Sequence, residues 1–67
     1  MITYEYNCEI SPDLDKLETD IINAELPDYN YMRWDEKDEL LKICFYSELS
    51  SENKIVLDSL IERRRNQ

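Results

Sequence analysis

The hydrophobic period changes several times along this 67-residue chain, and the order of those changes restricts the fold. Residues 2–9 alternate apolar and polar side chains, with β-branched and aromatic members, as a half-buried strand does. Residues 29–35 and 39–46 alternate in the same way on either side of a polar turn at 35–38. A helical period of about 3.6 separates the first two strands and returns at the end. The predicted order is therefore β-α-β-β-α.

The segment after residue 9 carries the signals of a first helix. Ser11 is a suitable N-cap, and Pro12 suits the first helical position. Pro27 ends the helix, because the residue before a proline avoids helical backbone. The apolar stripe predicted to face the core consists of Leu14, Leu17, Ile21 and Ala24, with Ile22 to one side.

A second helix closes the chain. Either Ser50 or Ser51 could cap it, and Glu52 falls in its first turn. Its C-terminal end carries three consecutive arginines at 63–65, where cations interact favourably with the helix dipole. The predicted buried stripe of this helix consists of Val56, Leu57, Leu60 and Ile61.

These elements predict one small α+β domain over residues 1–67, with a three-stranded antiparallel sheet and two helices on one face. The hairpin makes strands two and three neighbours, and a right-handed crossover from strand one puts strand three in the middle. The face toward the helices would carry Ile2, Tyr4, Tyr6, Cys8, Met32, Trp34, Leu41, Ile43 and Phe45. The uncovered face would carry Thr3, Glu5, Asn7, Tyr29, Tyr31, Arg33, Leu40, Lys42, Cys44 and Tyr46.

The chain contains neither histidine nor glycine, which removes several kinds of functional site. Without histidine it lacks the usual imidazole base and the commonest metal ligand. Without glycine, a phosphate-binding loop or an EF-hand turn is strongly disfavoured. No carboxylate pair stands apart, and no base accompanies the serines or cysteines. We therefore predict a non-enzymatic protein with no cofactor and no metal.

Cys8 and Cys44 are predicted to be reduced thiols in the cytoplasm. No basic region followed by an apolar stretch marks a secretory signal, and no run of about 20 apolar residues marks a membrane span. Disulfides are rare in that compartment.

The net charge of −8 is distributed unevenly. Residues 1–32 contain eight acidic side chains and one base, Lys16, whereas the arginines at 63–65 form the only basic cluster. Such a field repels nucleic acid and acidic membranes, and it attracts basic proteins. The alternative is that the charge serves only to keep a small protein soluble.

The first helix and its flanks are the predicted partner-binding surface. Carboxylates one turn apart, such as Asp15 and Glu18, are separated by ~5–6 Å. This spacing is comparable to the advance of ~3.4 Å per phosphate along one DNA strand. Exposed tyrosines would add apolar anchors to the charged surface. The predicted partner-binding residues are Glu5, Glu9, Asp13, Asp15, Glu18, Asp20, Glu25, Asp28, Tyr31 and Tyr46.

The composition resembles that of short acidic α/β proteins encoded by phages and mobile elements, such as uracil-DNA glycosylase inhibitors and several anti-CRISPR proteins. The resemblance is compositional, matches no motif and transfers no residue role. It implies DNA mimicry as a mechanism. We therefore predict a cytoplasmic inhibitor that binds a basic nucleic-acid-binding protein or enzyme, with no direct contact to nucleic acid or membrane.

Two alternatives stay open. The chain could be a phage structural or assembly component, or a homo-oligomeric interaction protein such as a homodimer. The tyrosines of the uncovered sheet face would then form the self-interface. An antitoxin-like partner of a basic protein would show the same sequence pattern as an inhibitor.

Overall fold

The computed structural model describes residues 1–65 of the chain. The strands form a single antiparallel sheet with the spatial order β1-β3-β2. This arrangement confirms the predicted α+β fold, including the central position of the third strand. In chain order the elements are β1 (Ile2–Asn7), α1 (Leu14–Asn23), β2 (Tyr29–Asp35), β3 (Leu40–Phe45) and α2 (Ser51–Arg65).

The core lies between the two helices and one face of the sheet. Leu41, Ile43 and Phe45 of the central strand are fully buried, because both neighbouring strands and the helices cover them. Burying side chains of this kind contributes about 1.5–3 kcal/mol each. The helices add Leu17, Ile21, Leu57, Leu60 and Ile61, and the partly buried Tyr4, Tyr6, Met32 and Trp34 pack against the same cluster, as predicted.

The start of α1 differs from the prediction. Asp13, not Ser11, is the N-cap: its backbone is extended, and its side chain accepts a hydrogen bond from the Lys16 N–H at 3.1 Å. The Ser11 hydroxyl instead donates to the Pro12 carbonyl at 3.1 Å. Because the cap lies at Asp13, Pro12 precedes the helix and does not occupy its first position.

The start of α2 follows the prediction, whereas one member of its buried stripe does not. Ser50 is the cap, and its side chain accepts from the Asn53 N–H at 3.1 Å. Leu57 is fully buried, but Val56 is 38 % exposed. At about 100° per residue, Leu57, Leu60 and Ile61 fall within about 100° of one another around the helix. Val56 lies about 40° beyond Leu60, outside this buried stripe.

A β-bulge at the start of β2 moves one tyrosine to the other side of the sheet. The β2–β3 register shifts between Tyr29 and Tyr31, and Tyr29 pairs with Phe45. The two rings meet edge to face, with centroids 5.8 Å apart. The prediction of Tyr29 on the uncovered face is therefore wrong, because the extra residue Asn30 reverses the alternation that precedes it.

The C-terminal end of α1 has a backbone conformation that usually requires glycine. The Glu25 N–H donates to the Ile22 carbonyl at 3.0 Å, and the Leu26 N–H donates to the Ile21 carbonyl at 3.3 Å. This is a Schellman motif, in which Glu25 takes the left-handed position. Left-handed backbone occurs at Glu25, Asp28 and Glu39, with φ of 57°, 61° and 52°.

Within residues 1–65, no helix has both the length and the apolar character that crossing a bilayer requires.

Candidate partner-binding surfaces

The ten predicted partner-binding residues do not form one surface. The ten residues of α1 separate its ends by about 15 Å. Glu9 and Asp13 lie at the N-terminal end, between β1 and α1, whereas Glu25 and Asp28 lie at the other end, between α1 and β2. Tyr46 belongs with the second group, because its N–H donates to the Asp28 carbonyl at 2.8 Å.

Glu5 and Tyr31 lie on the uncovered face of the sheet. Glu5 is opposite Lys42 in the β1–β3 register, and Tyr31 is opposite Cys44 in the β2–β3 register. The helices cover the other face. The structure therefore does not bring Tyr31 together with the acids of α1, and one flat partner surface cannot contact both.

The uncovered face is more polar than the sequence predicted. Lys42 lies between two carboxylates, with its Nζ 3.9 Å from Glu5 and 3.7 Å from Asp35. Tyr31 is 45 % exposed, and the neighbouring Cys44 side chain raises the pKa of its hydroxyl. With Tyr29 turned inward, this face offers a smaller tyrosine surface than the assembly alternative assumed.

Asp20 is held by a cation of the other helix. Arg64 donates from Nε to Oδ2 of Asp20 at 2.7 Å and from Nη2 to Oδ1 at 2.9 Å. These hydrogen bonds lower the pKa of Asp20, because they favour its charged form. Lys16, four residues before Asp20 on the same helix, is the cation that i,i+4 spacing alone would favour as its partner. Asp20 is thus part of the contact between α1 and α2.

Two further acids of the predicted set have structural contacts. Asp13 caps α1, and the Glu18 Oε2 accepts a hydrogen bond from the Tyr29 hydroxyl at 2.7 Å. Burial, followed by this hydrogen bond, raises the pKa of Tyr29. Glu18 nevertheless remains exposed. Its position is fixed by the tyrosine that the bulge turned inward.

Asp15, Glu18 and Ile22 form a surface that we call the acidic stripe. They are spaced i, i+3 and i+7 and therefore lie along one side of α1. All three are exposed, and Ile22 is 60 % exposed. The Asp15 side chain has no ion pair or hydrogen bond among residues 1–65. The stripe thus places an apolar side chain one turn beyond Glu18 and two turns beyond Asp15 on the same side of the helix.

Ile22 is a candidate binding residue that the sequence pattern alone did not single out. Helical spacing already places it beside the core stripe, on the side of Asp15 and Glu18. An isolated exposed apolar residue is ordinary in soluble proteins. Its position on the same side of α1 as Asp15 and Glu18 makes Ile22 a candidate anchor. Recognising this requires knowing that the helix begins at Leu14 and leaves Ile22 uncovered.

Two observations concern metal binding and the reactivity of Cys8. No group of three or more His, Cys, Asp or Glu side chains within residues 1–65 is placed to hold a metal ion. A cavity of about 580 Å³ lies beside Cys8, lined also by Glu9, Ser11 and Arg65. Burial raises the pKa of the Cys8 thiol, which disfavours the nucleophilic thiolate.

The two cysteines are free and lie in different environments. Cys8 belongs to the core cluster, and its carbonyl accepts from the Trp34 indole N–H at 2.9 Å. Cys44 lies on the uncovered face, with its Sγ 3.4 Å from the Thr3 Oγ1. Because the sheet separates the two thiols, they are not placed to form an intramolecular disulfide.

Comparisons of this chain with protein-family models, with curated proteins and with solved structures find no match.

Proposed function

We propose that this protein is a non-catalytic cytoplasmic inhibitor that binds the basic, nucleic-acid-binding face of a protein or enzyme by DNA mimicry. The observation that supports this proposal is the acidic stripe. Asp15 and Glu18 are exposed carboxylates one helical turn apart, and the exposed Ile22 lies one turn beyond Glu18 on the same side. The proposal narrows the predicted site from ten residues to one side of α1.

The charge balance around α1 favours this surface over the other acids. Glu5 is in contact with Lys42, and Asp20 is bound by Arg64, so these two carboxylates are compensated within the protein. Asp15 has no such cation among residues 1–65. An uncompensated carboxylate on an exposed helix is available to a lysine or arginine of a partner.

The two kinds of side chain in the stripe would act at different stages of binding. The net charge of −8 attracts a basic face over a distance of about 8–10 Å at physiological salt, which raises the association rate. Ile22 would be buried on contact, and burial of an apolar anchor slows dissociation. The partner's groove accepts the phosphates of nucleic acid, whose spacing is comparable to that of carboxylates one helical turn apart. The acidic stripe would therefore occupy that groove as a mimic of DNA.

The test is capture from a bacterial lysate, followed by binding kinetics with the captured protein. We expect a nucleic-acid-binding protein that is displaced by duplex DNA and whose affinity falls steeply as salt rises. The variant Asp15→Asn with Glu18→Gln should lower the association rate about tenfold or more. Ile22→Ser should instead raise the dissociation rate.

The matched control is Glu36→Gln with Glu48→Gln, which removes the same charge from exposed residues outside α1. This variant should leave most of the affinity in place. Equal losses of affinity in the control and stripe variants would show that only the net charge matters, and not the position of Asp15 and Glu18. Binding that neither DNA nor salt displaces would contradict DNA mimicry.

A further inference from the structure

The outer edge of β1 carries backbone groups that no described residue satisfies. Cys8 and Glu39 continue the β1–β3 register, and the Cys8 N–H donates to the Glu39 carbonyl at 2.8 Å. In an antiparallel pair the residues that bond across the ladder alternate along the strand. Tyr4 and Tyr6 therefore direct their N–H and C=O groups toward β3. Thr3 and Glu5 direct theirs outward, away from the sheet.

Arg65 limits how much of this edge is free. Its Nη1 donates to the Asn7 carbonyl at 3.0 Å from the outer side, which agrees with the outward direction of the odd-numbered residues. The Asn7 carbonyl is thus occupied by α2. Thr3 and Glu5 are left as the two residues of β1 with both backbone groups open to another strand.

Three acids on the side of the molecule next to this edge have cations close by. Glu5 faces Lys42, Asp58 is 2.6 Å from the Nζ of Lys54, and Glu62 pairs with Arg65. Lys54 also lies 5.4 Å from the ring centroids of both Tyr4 and Tyr6. A second chain with a charge of −8 would meet less repulsion here than at the uncompensated acids of α1.

Exposed apolar side chains accompany the open edge. Ile2 of β1 is 36 % exposed, although its register partner Phe45 is fully buried. Ile55 is 65 % exposed and is spaced i, i+3 from Asp58, whose carboxylate accepts from the Tyr6 hydroxyl of β1. Both lie on the side of the molecule formed by β1 and α2, where a neighbouring strand and helix would cover them.

We propose that β1 pairs antiparallel with β1 of a second copy, centred on Tyr4, to give a continuous six-stranded sheet. In this register Thr3 of each chain faces Glu5 of the other, so the open N–H and C=O groups of both residues bond across the interface. Moving the centre to Glu5 would place like charges opposite each other and would need the occupied Asn7 carbonyl. The dimer does not rest on the proposed function, and it leaves the acidic stripe exposed on each copy.

Amide hydrogen exchange of the unmodified protein tests the register directly. In a monomer, the Tyr4 and Tyr6 amides are protected by β3, and those of Thr3 and Glu5 exchange rapidly. In the dimer, the Thr3 and Glu5 amides become protected as protein concentration rises, in parallel with the dimer fraction from sedimentation equilibrium.

Dimerisation should strengthen with added salt, because screening reduces repulsion between two chains of −8. Binding of a basic partner should weaken with salt, so the two proposals fail separately.

Two variants with matched controls locate the interface. Thr3→Pro removes an outward N–H that β3 does not use and should give a monomer, whereas Thr3→Val should remain a dimer. Ile55→Glu should weaken association about tenfold or more, whereas Ile10→Glu, an equal charge change at a residue that is 84 % exposed, should not. If Thr3→Pro does not fold, the exchange measurement on the unmodified chain still shows whether β1 pairs with a second copy.

Three results would overturn the proposal. The first is a chain that stays monomeric at every concentration, with fast exchange at Thr3 and Glu5. The second is a dimer that survives Thr3→Pro and dissociates on Tyr31→Ser, which would assign self-association to the uncovered sheet face. The third is protection of the Thr3 and Glu5 amides only when a basic protein is added, which would make the edge a site for a different partner.

Discussion

Arg64 of α2 binds Asp20 of α1 through two parallel hydrogen bonds of 2.7 and 2.9 Å. The pair joins the last turn of the C-terminal helix to the middle of the acidic one. Bidentate contact between a guanidinium and a carboxylate fixes the geometry of both groups. The arginine cluster therefore serves the fold at this position, where the sequence alone showed only a basic end on an acidic chain.

This contact predicts how stability depends on acid. The pKa of Asp20 is lowered in the folded state, so the pair stabilises the protein above the unfolded pKa of about 3.9. That contribution is lost as pH falls through the lower, folded pKa. Asp20→Asn should reduce stability at pH 7 and flatten the loss of stability below pH 4. Urea unfolding from pH 7 to pH 2 measures both effects, and Asp15→Asn is the control that should retain the acid-side loss.

A second prediction concerns alkaline pH. The Tyr6 hydroxyl donates to Asp58 at 2.6 Å, and burial, followed by that hydrogen bond, raises the pKa of Tyr6. Because the pKa of Tyr6 is higher in the folded state, the Tyr6–Asp58 contact stabilises the fold fully below the unfolded pKa of about 10. This stabilisation is lost as the pH rises above that value toward the folded pKa. Tyr6→Phe should cost about 1 kcal/mol at pH 7 and reduce the alkaline loss.

Tyr46→Phe is the control for this experiment. Tyr46 is 62 % exposed, and its hydroxyl has no hydrogen bond among residues 1–65. Its stability profile between pH 8 and pH 12 should match that of the unmodified chain. If Tyr6→Phe also leaves the alkaline profile unchanged, the Tyr6–Asp58 contact does not contribute to stability in solution.

A third prediction follows from the left-handed backbone at Glu25. With φ at 57°, this residue holds a conformation that costs a side chain with a Cβ roughly 1–2 kcal/mol and costs glycine little. Part of the gain is offset, because glycine is more flexible in the unfolded chain. Glu25→Gly should therefore stabilise the protein by about 0.5–1 kcal/mol in urea unfolding.

The neighbouring residue provides the control for Glu25→Gly. Ala24 has right-handed backbone, with φ at −78°. Ala24→Gly should destabilise the protein by about 0.5–1 kcal/mol, because glycine brings flexibility without relieving strain. Effects of the same sign in the two variants would contradict the assignment of strain to Glu25.

A fourth prediction uses the difference between the two thiols. Cys44 is 4 % exposed on the uncovered face, where Tyr31 is opposite it in the β2–β3 register, whereas Cys8 is in the core at 2 % exposure. Tyr31→Ala should increase the alkylation rate of Cys44 in the folded protein several-fold and leave that of Cys8 unchanged. Mass spectrometry of timed iodoacetamide reactions distinguishes the sites, and parallel acceleration at both would indicate general unfolding instead.

The sequence was sufficient for the architecture because each element repeats its own hydrophobic period. Alternation in the strands and the stripe at Leu17 and Ile21 specified which faces pack together, and the crossover rule placed β3 between its neighbours. The N-cap was misplaced by two residues. Ser11 and Asp13 are both good caps, and nothing local decides between them.

The candidate site was less accessible to sequence reasoning, because it depends on contacts between distant residues. The pairing of Asp20 with Arg64 joins positions far apart in the chain, whereas i,i+4 spacing along α1 offers only Lys16 as a nearby cation. The bulge at Asn30 reversed the side of Tyr29 without any Gly or Pro to mark it. A period-two pattern contains no information about an added residue. The sequence therefore predicted one tyrosine too many, Tyr29, on the uncovered face.

At the three left-handed positions, a negatively charged side chain comes at the cost of a strained backbone. Glu25, Asp28 and Glu39 occupy sites where glycine would fit without strain, and replacing all three would bring the net charge from −8 to −5. Substitutions to glycine at these positions would stabilise the fold but reduce the negative charge. Keeping the acids preserves the charge together with the backbone strain. Related chains that keep acids at these three sites would show which of the two properties has been under selection.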